Sequence, residues 1–346
     1  MGARREPIAQ SESDVLEQSL TQTPLFSIII PVRNEEKHIA TCLDSLRRLQ
    51  CLPDLFEVIV VDNGSTDSTR SIAARFQDAL PLRILEKPQA YISAVRNAGA
   101  AIAAGQFLAF LDADCEVLPD WLSAAHCVIA AGHAGVFGSF YLIPEKSSWI
   151  ARYWYDERDK KGSGEVSYLP AGDLFVSRGL FQKLQGFDES IQTNEDYEFC
   201  QRVRAAGFPI ACVPALGVIH WGTPQSLGEF FRKHRWHGMH VFRVFLRNLP
   251  ALFNFKPIAL ALYTLACLLG LLAGVGVALW AGQFRLFTGF LLALMAPPLG
   301  LGIRAAISSR RSVAALPLSA LYLTYAIARA SCLIDWRTWS ASTAKG

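Results

Sequence analysis

Phe107–Cys115 reads FLAFLDADC. Five apolar residues in unbroken succession predict a strand buried on both faces, as in the middle of a parallel sheet. The run stops at Asp112-Ala113-Asp114, two carboxylates one residue apart at a strand's carboxyl end. Towards the N-terminus the same grammar recurs. Leu25–Pro31 (LFSIIIP) and Phe56–Val61 (FEVIVV) are further apolar strands. The first runs into VRNEE, the second into Asp62-Asn63-Gly64-Ser65-Thr66-Asp67, and Leu82–Glu86 supplies another strand. Helical patterns separate them: residues 35–50 carry Ile39, Leu43, Leu46 and Leu49 at helical spacing, residues 68–76 follow capping residues, and residues 91–104 stop at Gly105. This β-α-β-α-β-α-β order predicts an α/β fold, a mostly parallel, Rossmann-like sheet with helices on both faces. Ligands of such sheets sit beyond the carboxyl ends of the strands. The polar clusters at 31–35, 62–67 and 112–114 all fall there.

Residues 135–222 are less regular. They hold a Gly/aromatic stretch, a charged segment at 156–161 and LPAGDLFVSRGLFQKLQGFDES. A helix near 195–206 starts with Glu195 and Asp196, where negative charge suits the helix dipole.

Composition divides the chain. Of 346 residues, 51% are hydrophobic and 18% charged, below the quarter typical of soluble domains. That excludes a disordered tail protein and argues against a wholly soluble enzyme. The net charge of +3 hides an asymmetry: residues 1–229 carry 20 Lys/Arg against 29 Asp/Glu, while residues 230–346 carry 13 against one. An acidic front half disfavours nucleic acid as a partner. A basic tail that is also apolar points to anionic phospholipid headgroups. Eight scattered cysteines form no CxxC pair, so neither a zinc site nor a disulfide framework is expected, and the front half suits a reducing cytosol. Residues 1–24 lack an apolar h-region and read as a flexible lead-in rather than a signal peptide.

In the tail, residues 223–256 (including GEFFRKHRWHGMHVFRVFLRNL) read as a basic amphipathic segment lying in a membrane interface. Apolar runs at 257–280, 284–303 and 313–333 follow, each near the ~20 residues that cross a bilayer core. About three transmembrane helices over 257–334 are expected, then a tail at 335–346. Cations flank the first run and fill the loop around Arg304, Arg310 and Arg311, whereas Arg285 alone lies between the first two runs. The positive-inside rule then puts the front half on the cytosolic face of an inner (cytoplasmic) membrane, and three crossings would leave the C-terminus opposite. Arg329, late in the third run, is costly unless it reaches an interface or a partner.

Paired carboxylates at a strand end can hold a hard cation and the phosphates it bridges, and such a cation neutralises a leaving pyrophosphate. Glu195-Asp196 either supplies a general base for an attacking hydroxyl or matches the helix dipole. His220, in VIHWG, is either a metal ligand or a half-buried structural histidine.

Taken together, FSIIIPVRNEEKHIATCLDSL, VIVVDNGSTDST, SAVRNAGAAIAAGQFLAFLDADC, GFDES and NEDYEFCQRVRAAG resemble the family 2 glycosyltransferases of GT-A fold, over about residues 25–222. The order and spacing of five motifs carry the resemblance. It implies that Pro31, Asn34 and Glu35 line a nucleotide pocket, that Asp62 hydrogen-bonds the base or ribose, and that Gly64 lets the loop bend. Arg96 and Asn97 would face the nucleotide. Asp112 and Asp114 would hold the sugar nucleotide and Mg²⁺ or Mn²⁺, joined by His220. Asp196 would be the general base, with Glu195 beside it, and the reaction would invert the anomeric carbon in one displacement.

The chain departs from the family pattern twice. Ala171-Gly172-Asp173 carries an extra carboxylate, Asp173, placed to meet donor hydroxyls or acceptor. Processive members carry QxxRW; here the stretch is Arg232-Lys233-His234-Arg235-Trp236, with Arg232 in place of glutamine. Transfer of a single sugar is therefore expected, with Arg232, Arg235 and Trp236 as contacts for the acceptor or its lipid phosphate. The membrane tail implies a lipid-linked or other membrane-associated acceptor. A polyprenyl phosphate is already ionised and needs no base; a hydroxyl does, and Glu195-Asp196 favours the hydroxyl. The donor stays open among UDP-, GDP- and dTDP-sugars. A non-catalytic GT-A-like scaffold would have lost an acidic motif, and none is lost. A nucleotidyltransferase would show a Gly-rich loop where PVRNEE stands.

Overall fold

The computed structural model describes residues 23–51, 55–158, 163–191, 193–238, 255–308 and 312–335. Most of the expected lead-in, residues 239–254 of the basic segment, Arg310, Arg311 and nearly all of the C-terminal tail lie outside these residues.

The first half follows the sequence pattern closely: β1 (Phe26–Val32), α1 (Ile39–Arg47), β2 (Phe56–Asp62), α2 (Thr69–Ala74), β3 (Leu82–Glu86), α3 (Ile92–Ile102) and β4 (Phe107–Leu111). The four strands run parallel in the order β3-β2-β1-β4, with Ile28 between Val58 and Ala109. Alternate side chains go to opposite faces, as strand geometry requires. Ile28, Ile30, Val58 and Val60 pack with Ile39, Leu43 and Leu46 of α1, whereas Ile29, Ile59 and Val61 pack with Val95 of α3. Apolar runs without alternation thus reflect a sheet covered on both sides.

The second half adds β5 (Cys115–Glu116), α4 (Trp121–Ala130), β6 (Val136–Gly138), α5 (Trp149–Arg158), β7 (Gly164–Glu165), β8 (Asp173–Ser177), α6 (Arg178–Lys183), α7 (Glu195–Ala205), β9 (Ile210–Cys212) and β10 (Ile219–His220). Strand β8 enters antiparallel beside β4, and the sheet continues β8-β6-β9-β7. The eight-stranded sheet is therefore parallel over its first half and mixed beyond β4. A separate two-stranded ribbon pairs β10 with β5, setting His220 opposite Cys115. This ribbon brings residue 220 back to the end of β4.

Four helices follow: α8 (Leu227–Gly238), α9 (Phe255–Ala281), α10 (Arg285–Ser308) and α11 (Ala315–Ile334). The last three are long and apolar enough to cross a membrane. On α9 and α10, Leu272, Leu279, Trp280, Leu292 and Ile307 are exposed, as side chains facing lipid would be. The inner seam of α10 is Leu294, Pro298, Gly302 and Ala306, four residues apart. There is no room for a side chain at Gly302, where a Cβ would lie 2.7 Å from the Ser319 nitrogen.

Helix α11 has a different setting. Tyr153 of α5 packs against the cluster of Ala306, Ala314 and Leu318 at its start. Trp154 meets the rings of Tyr322 and Tyr325 at 5.2 and 5.5 Å. At its end, Arg235 of α8 pairs with Asp335 at 2.6 Å. The start of α11 thus touches α5 of the α/β part, and its end touches α8.

Candidate active site

The loops after β1 and β2 are locked together. Asp62, 4% exposed at the end of β2, accepts from the Ser65 hydroxyl at 2.5 Å. Asn34, held at φ 56°, accepts at Oδ1 from the Thr66 amide at 2.8 Å, and its own amide donates to Ser65 Oγ at 3.1 Å. Gly64 sits at φ +72°, a left-handed turn suited to glycine. Pro31 is buried within β1, paired with Val61, so it fixes the strand end rather than presenting a polar group. The Glu35 amide donates to Thr69 Oγ1 at 2.7 Å. Burial, then the charges of Asp114 and Asp112, push the Glu35 carboxyl up to about 7. The first loop therefore lies within electrostatic reach of the aspartate pair.

Arg96 on α3 is the hub. Its Nη2 donates to Asp112 Oδ1 at 2.6 Å, and its Nη1 donates to Glu195 Oε1. The Tyr141 hydroxyl donates to the other Asp112 oxygen at 3.0 Å. Burial opposes ionisation of Asp112, but the Arg96 guanidinium outweighs it and holds the carboxyl below its usual range. Gly172 admits this cluster: a Cβ there would stand 2.4 Å from Asp112 Oδ2 and 2.2 Å from the Tyr141 hydroxyl.

One residue further on, Asp114 Oδ2 lies 3.4 Å from His220 Nε2. The β5–β10 ribbon sets this approach, and the Trp221 amide donates to the Asp114 carbonyl at 2.8 Å. Tyr141 stacks on the His220 ring at 4.5 Å. Gly222 leaves space for the carboxylate, since a Cβ there would fall 1.9 Å from Asp114 Oδ2. Ligand atoms of Asp114, Cys115 and His220 all lie within 4.8 Å of one another. Burial holds Cys115 as a thiol, its pKa well above the ordinary value, and holds His220 neutral by pushing its pKa down. A carboxylate and a neutral imidazole, with the thiol protonated, form a donor set that fits a divalent cation such as Mn²⁺ or Mg²⁺.

Glu195 and Asp196 occupy the first turn of α7, entered through Asn194 at φ 66°. Asp196 accepts from the Tyr197 amide at 2.7 Å and the Ala171 amide at 3.3 Å. Burial raises the pKa of Asp196 although Arg96 opposes it, and it raises Glu195 to about 7 against the same arginine. Both carboxylates line a cavity of about 550 Å³ with Arg96, Asp112 and Tyr141. Asn194 Nδ2 donates to the His237 carbonyl at 3.4 Å, tying this turn to α8.

The structure places two expected donor contacts elsewhere. Asn97 bonds the Phe187 amide and carbonyl at 3.0 and 2.9 Å and Glu189 at 2.9 Å, so it pins the loop before α7. One step along a helix turns a side chain about 100°, which separates Asn97 from Arg96. Asp173 is fully buried and accepts from Trp121 Nε1 at 3.1 Å, in the core rather than the cavity. Of the α8 residues, Arg232 is exposed, Arg235 is taken by Asp335, and Trp236, 42% exposed, stands at the cavity wall. Sequence reasoning missed Tyr141, Gly222 and Cys115 as site residues. Tyr141 belongs to no quoted motif, whereas Gly222 closes the VIHWG stretch and Cys115 directly follows the aspartate pair.

Residues 27–185 match Glycosyl transferase family 2. Glycosyltransferase AglE of Haloferax volcanii is 30% identical over 216 residues, which cover 61% of this chain and 70% of AglE. The chain belongs to glycosyl transferase family 2. Succinoglycan biosynthesis protein ExoA of Rhizobium meliloti is similar at 28% identity, over 73% of this chain and 82% of ExoA. Some other relatives are matched over a smaller part, 29–31% of their length. Among solved structures, the mannosyltransferase PcManGT from Pyrobaculum calidifontis, in complex with GDP-Man and Mn²⁺, shares the fold with a TM-score of 0.58 at 19% identity, over 89% of this chain and 88% of that one. The chain is thus a glycosyltransferase with a GT-A α/β fold and three apolar C-terminal helices.

Proposed function

We propose that this glycosyltransferase moves one sugar from a nucleotide-sugar donor to a lipid-linked or other membrane-associated acceptor, with inversion at the anomeric carbon. The observation that carries the proposal is the Arg96 bridge. It joins Asp112, at the end of β4, to the Glu195-Asp196 turn of α7 across one cavity.

On the donor side, Asp62 and the interlocked Asn34 and Gly64 turns would receive the base and ribose, with Glu35 nearest the aspartate pair. Asp114 and His220, with Asp112 alongside, would hold Mg²⁺ or Mn²⁺. That ion supplies charge neutralisation for the departing diphosphate. The GDP-Man and Mn²⁺ of the mannosyltransferase complex support this reading. On the acceptor side, Asp196 takes the proton as a hydroxyl oxygen attacks the anomeric carbon. The bond from that carbon to the diphosphate oxygen breaks, and the nucleoside diphosphate leaves with the electron pair. Arg96 holds Glu195 beside the base.

Helices α9 to α11 anchor the enzyme, with exposed Arg232 toward anionic phospholipid headgroups. The charge bias of the tail supports a cytosolic catalytic domain at the cytoplasmic membrane. Similarity to ExoA supports a place in cell-envelope polysaccharide or glycolipid synthesis.

A thermal-shift panel of UDP-, GDP- and dTDP-sugars, with and without Mn²⁺, tests the reading. Stabilisation by one nucleotide class, only with metal, is expected. A flat panel, or the same shifts after EDTA treatment, would contradict it.

A further inference from the structure

Arg329 stands in the last turns of α11, the apolar helix held against α5 and α8. A guanidinium in such a helix is costly unless an anion meets it. Among the described residues, its buried Nε and Nη1 have no hydrogen-bond partner. The nearby carboxylate at the helix end, Asp335, is already paired with Arg235 at 2.6 Å. The guanidinium lies 5.0 Å over the Tyr325 ring, which fixes its plane without neutralising its charge.

The side chain opens onto chemistry. Arg329 lines the same 550 Å³ cavity as Asp196 and Arg96, and approaches it from the membrane helices. A second cavity of about 450 Å³ adjoins it, sharing Tyr141, Tyr168 and His237, and includes Lys233. Burial, then Lys233 and Arg329, push His237 down to about 3, so the wall between the cavities senses two cations. Arg96, by contrast, is already committed to two carboxylates. Among the described residues, the cation available to a new ligand on the Asp196 side is therefore Arg329, with Lys233 beyond His237. A planar guanidinium suits the paired oxygens of a phosphoryl group, and the helix that carries it is the one that would lie beside a lipid chain.

We propose that Arg329 binds a phosphoryl group of the membrane acceptor, making that acceptor a lipid phosphate or lipid diphosphate. This rests on the glycosyltransferase reading above and adds the acceptor's chemical class. It also moves the phosphate contact from the exposed arginine of α8 to α11. Two sources share the chemistry: a lipid monophosphate that is itself the nucleophile, and a lipid diphosphate carrying a sugar whose hydroxyl meets Asp196.

The full chain in phosphatidylcholine nanodiscs would be titrated with citronellol, citronellyl phosphate and citronellyl diphosphate. Wild type, Arg329→Met, Arg329→Lys and Arg304→Met would be compared, the last removing an exposed cation from α10. Charge-assisted bonds of this kind are worth about tenfold or more in affinity. Wild type and Arg304→Met should bind a phosphorylated probe at least about tenfold more tightly than the alcohol. Arg329→Met should bind all three alike, and Arg329→Lys should keep part of the preference. Preference for the monophosphate would point to the first source, and preference for the diphosphate to the second. Equal affinities in wild type would overturn the proposal whether or not Arg329→Met folds, and so would a preference that survives in Arg329→Met.

The donor thermal shift serves as the fold control and separates the two readings. A lost donor shift in wild type with the phosphate preference intact contradicts the glycosyltransfer assignment, not the phosphate site. A donor shift lost only in Arg329→Met, with the lipid preference kept, would reassign Arg329 to the donor diphosphate and overturn the proposal.

Discussion

Arg96 on α3 donates to Asp112 on β4 at 2.6 Å. Its other terminal nitrogen bonds Glu195, 99 residues further along the chain. The carboxylate end of the central strand and the base-bearing turn are thus aligned by one side chain, itself 4% exposed. Removing it would leave the buried Glu195 and the half-buried Asp112 without their cation. Breaking such a buried pair costs about 3–5 kcal/mol. Arg96→Ala should lower stability by about that amount in denaturant unfolding and abolish transfer. Arg96→Lys should restore much of the stability without the two-pronged geometry, so transfer should stay depressed. A lysine variant with wild-type turnover would contradict the bridging role.

The acid limb of the pH profile follows from burial. Burial raises Asp196, and the Glu195 beside it titrates near 7. A general base must be ionised, so transfer should fall as pH drops, with the limb above the ordinary aspartate range. A rate profile at saturating donor measures this. A limb near the free aspartate value of ~4 would place the base elsewhere.

Asp173 makes the opposite use of a carboxyl. It is fully buried against Trp121, and its pKa is raised well above the ordinary value by burial. A carboxyl that binds its proton more tightly when folded contributes most at low pH, and that contribution is lost as pH rises above the unfolded pKa. Asp173→Asn keeps the shape and the acceptor for Trp121 but removes the titration. It should therefore gain stability relative to wild type at pH 8, by ~1 kcal/mol or more, with little gain at pH 4. Thermal unfolding at the two pH values checks this, and an equal effect at both would mean the carboxyl does not titrate.

Helix α11 predicts where the C-terminus lies. A third crossing would carry it to the far side of the membrane. Because Tyr153 of α5 packs at its start and Arg235 of α8 pairs with Asp335 at its end, α11 is expected instead to stay on the catalytic side, leaving α9 and α10 as the crossings. Reporters fused to the two chain termini should show the same sidedness in intact cells. Opposite sidedness would mean that α11 leaves the catalytic domain and spans.

What the sequence disclosed depended on how local the cause was. β1, β2 and β4 announced themselves because both faces of each are covered, so nearly every residue along them had to be apolar. The strands β6, β9 and β10 are two or three residues long and owe their pairing to distant partners, as Val136 does to Ile210. No periodicity survives in so short a run. The antiparallel entry of β8 beside β4 was hidden because a strand's direction is set by its distant partner rather than by its own residues. Within the site, the aspartate pair was legible from its place at a strand end. The directions of Asn97 and Asp173 were not, because a motif names a residue without fixing which wall it faces. Arg329 was visible as a charge out of place, but its target became apparent only when α11 folded back against α8.

The central claim is that Asp114 serves the donor and its metal while Asp196 serves the acceptor. Single-turnover transfer and donor binding, measured side by side on Asp114→Ala and Asp196→Asn with Mn²⁺ present, test it most directly. Asp114→Ala should lose metal-dependent donor binding and transfer together. Asp196→Asn should bind donor as wild type does and transfer the sugar about a hundredfold or more slowly, the usual worth of a general base. Wild-type transfer rates in both variants would contradict the account.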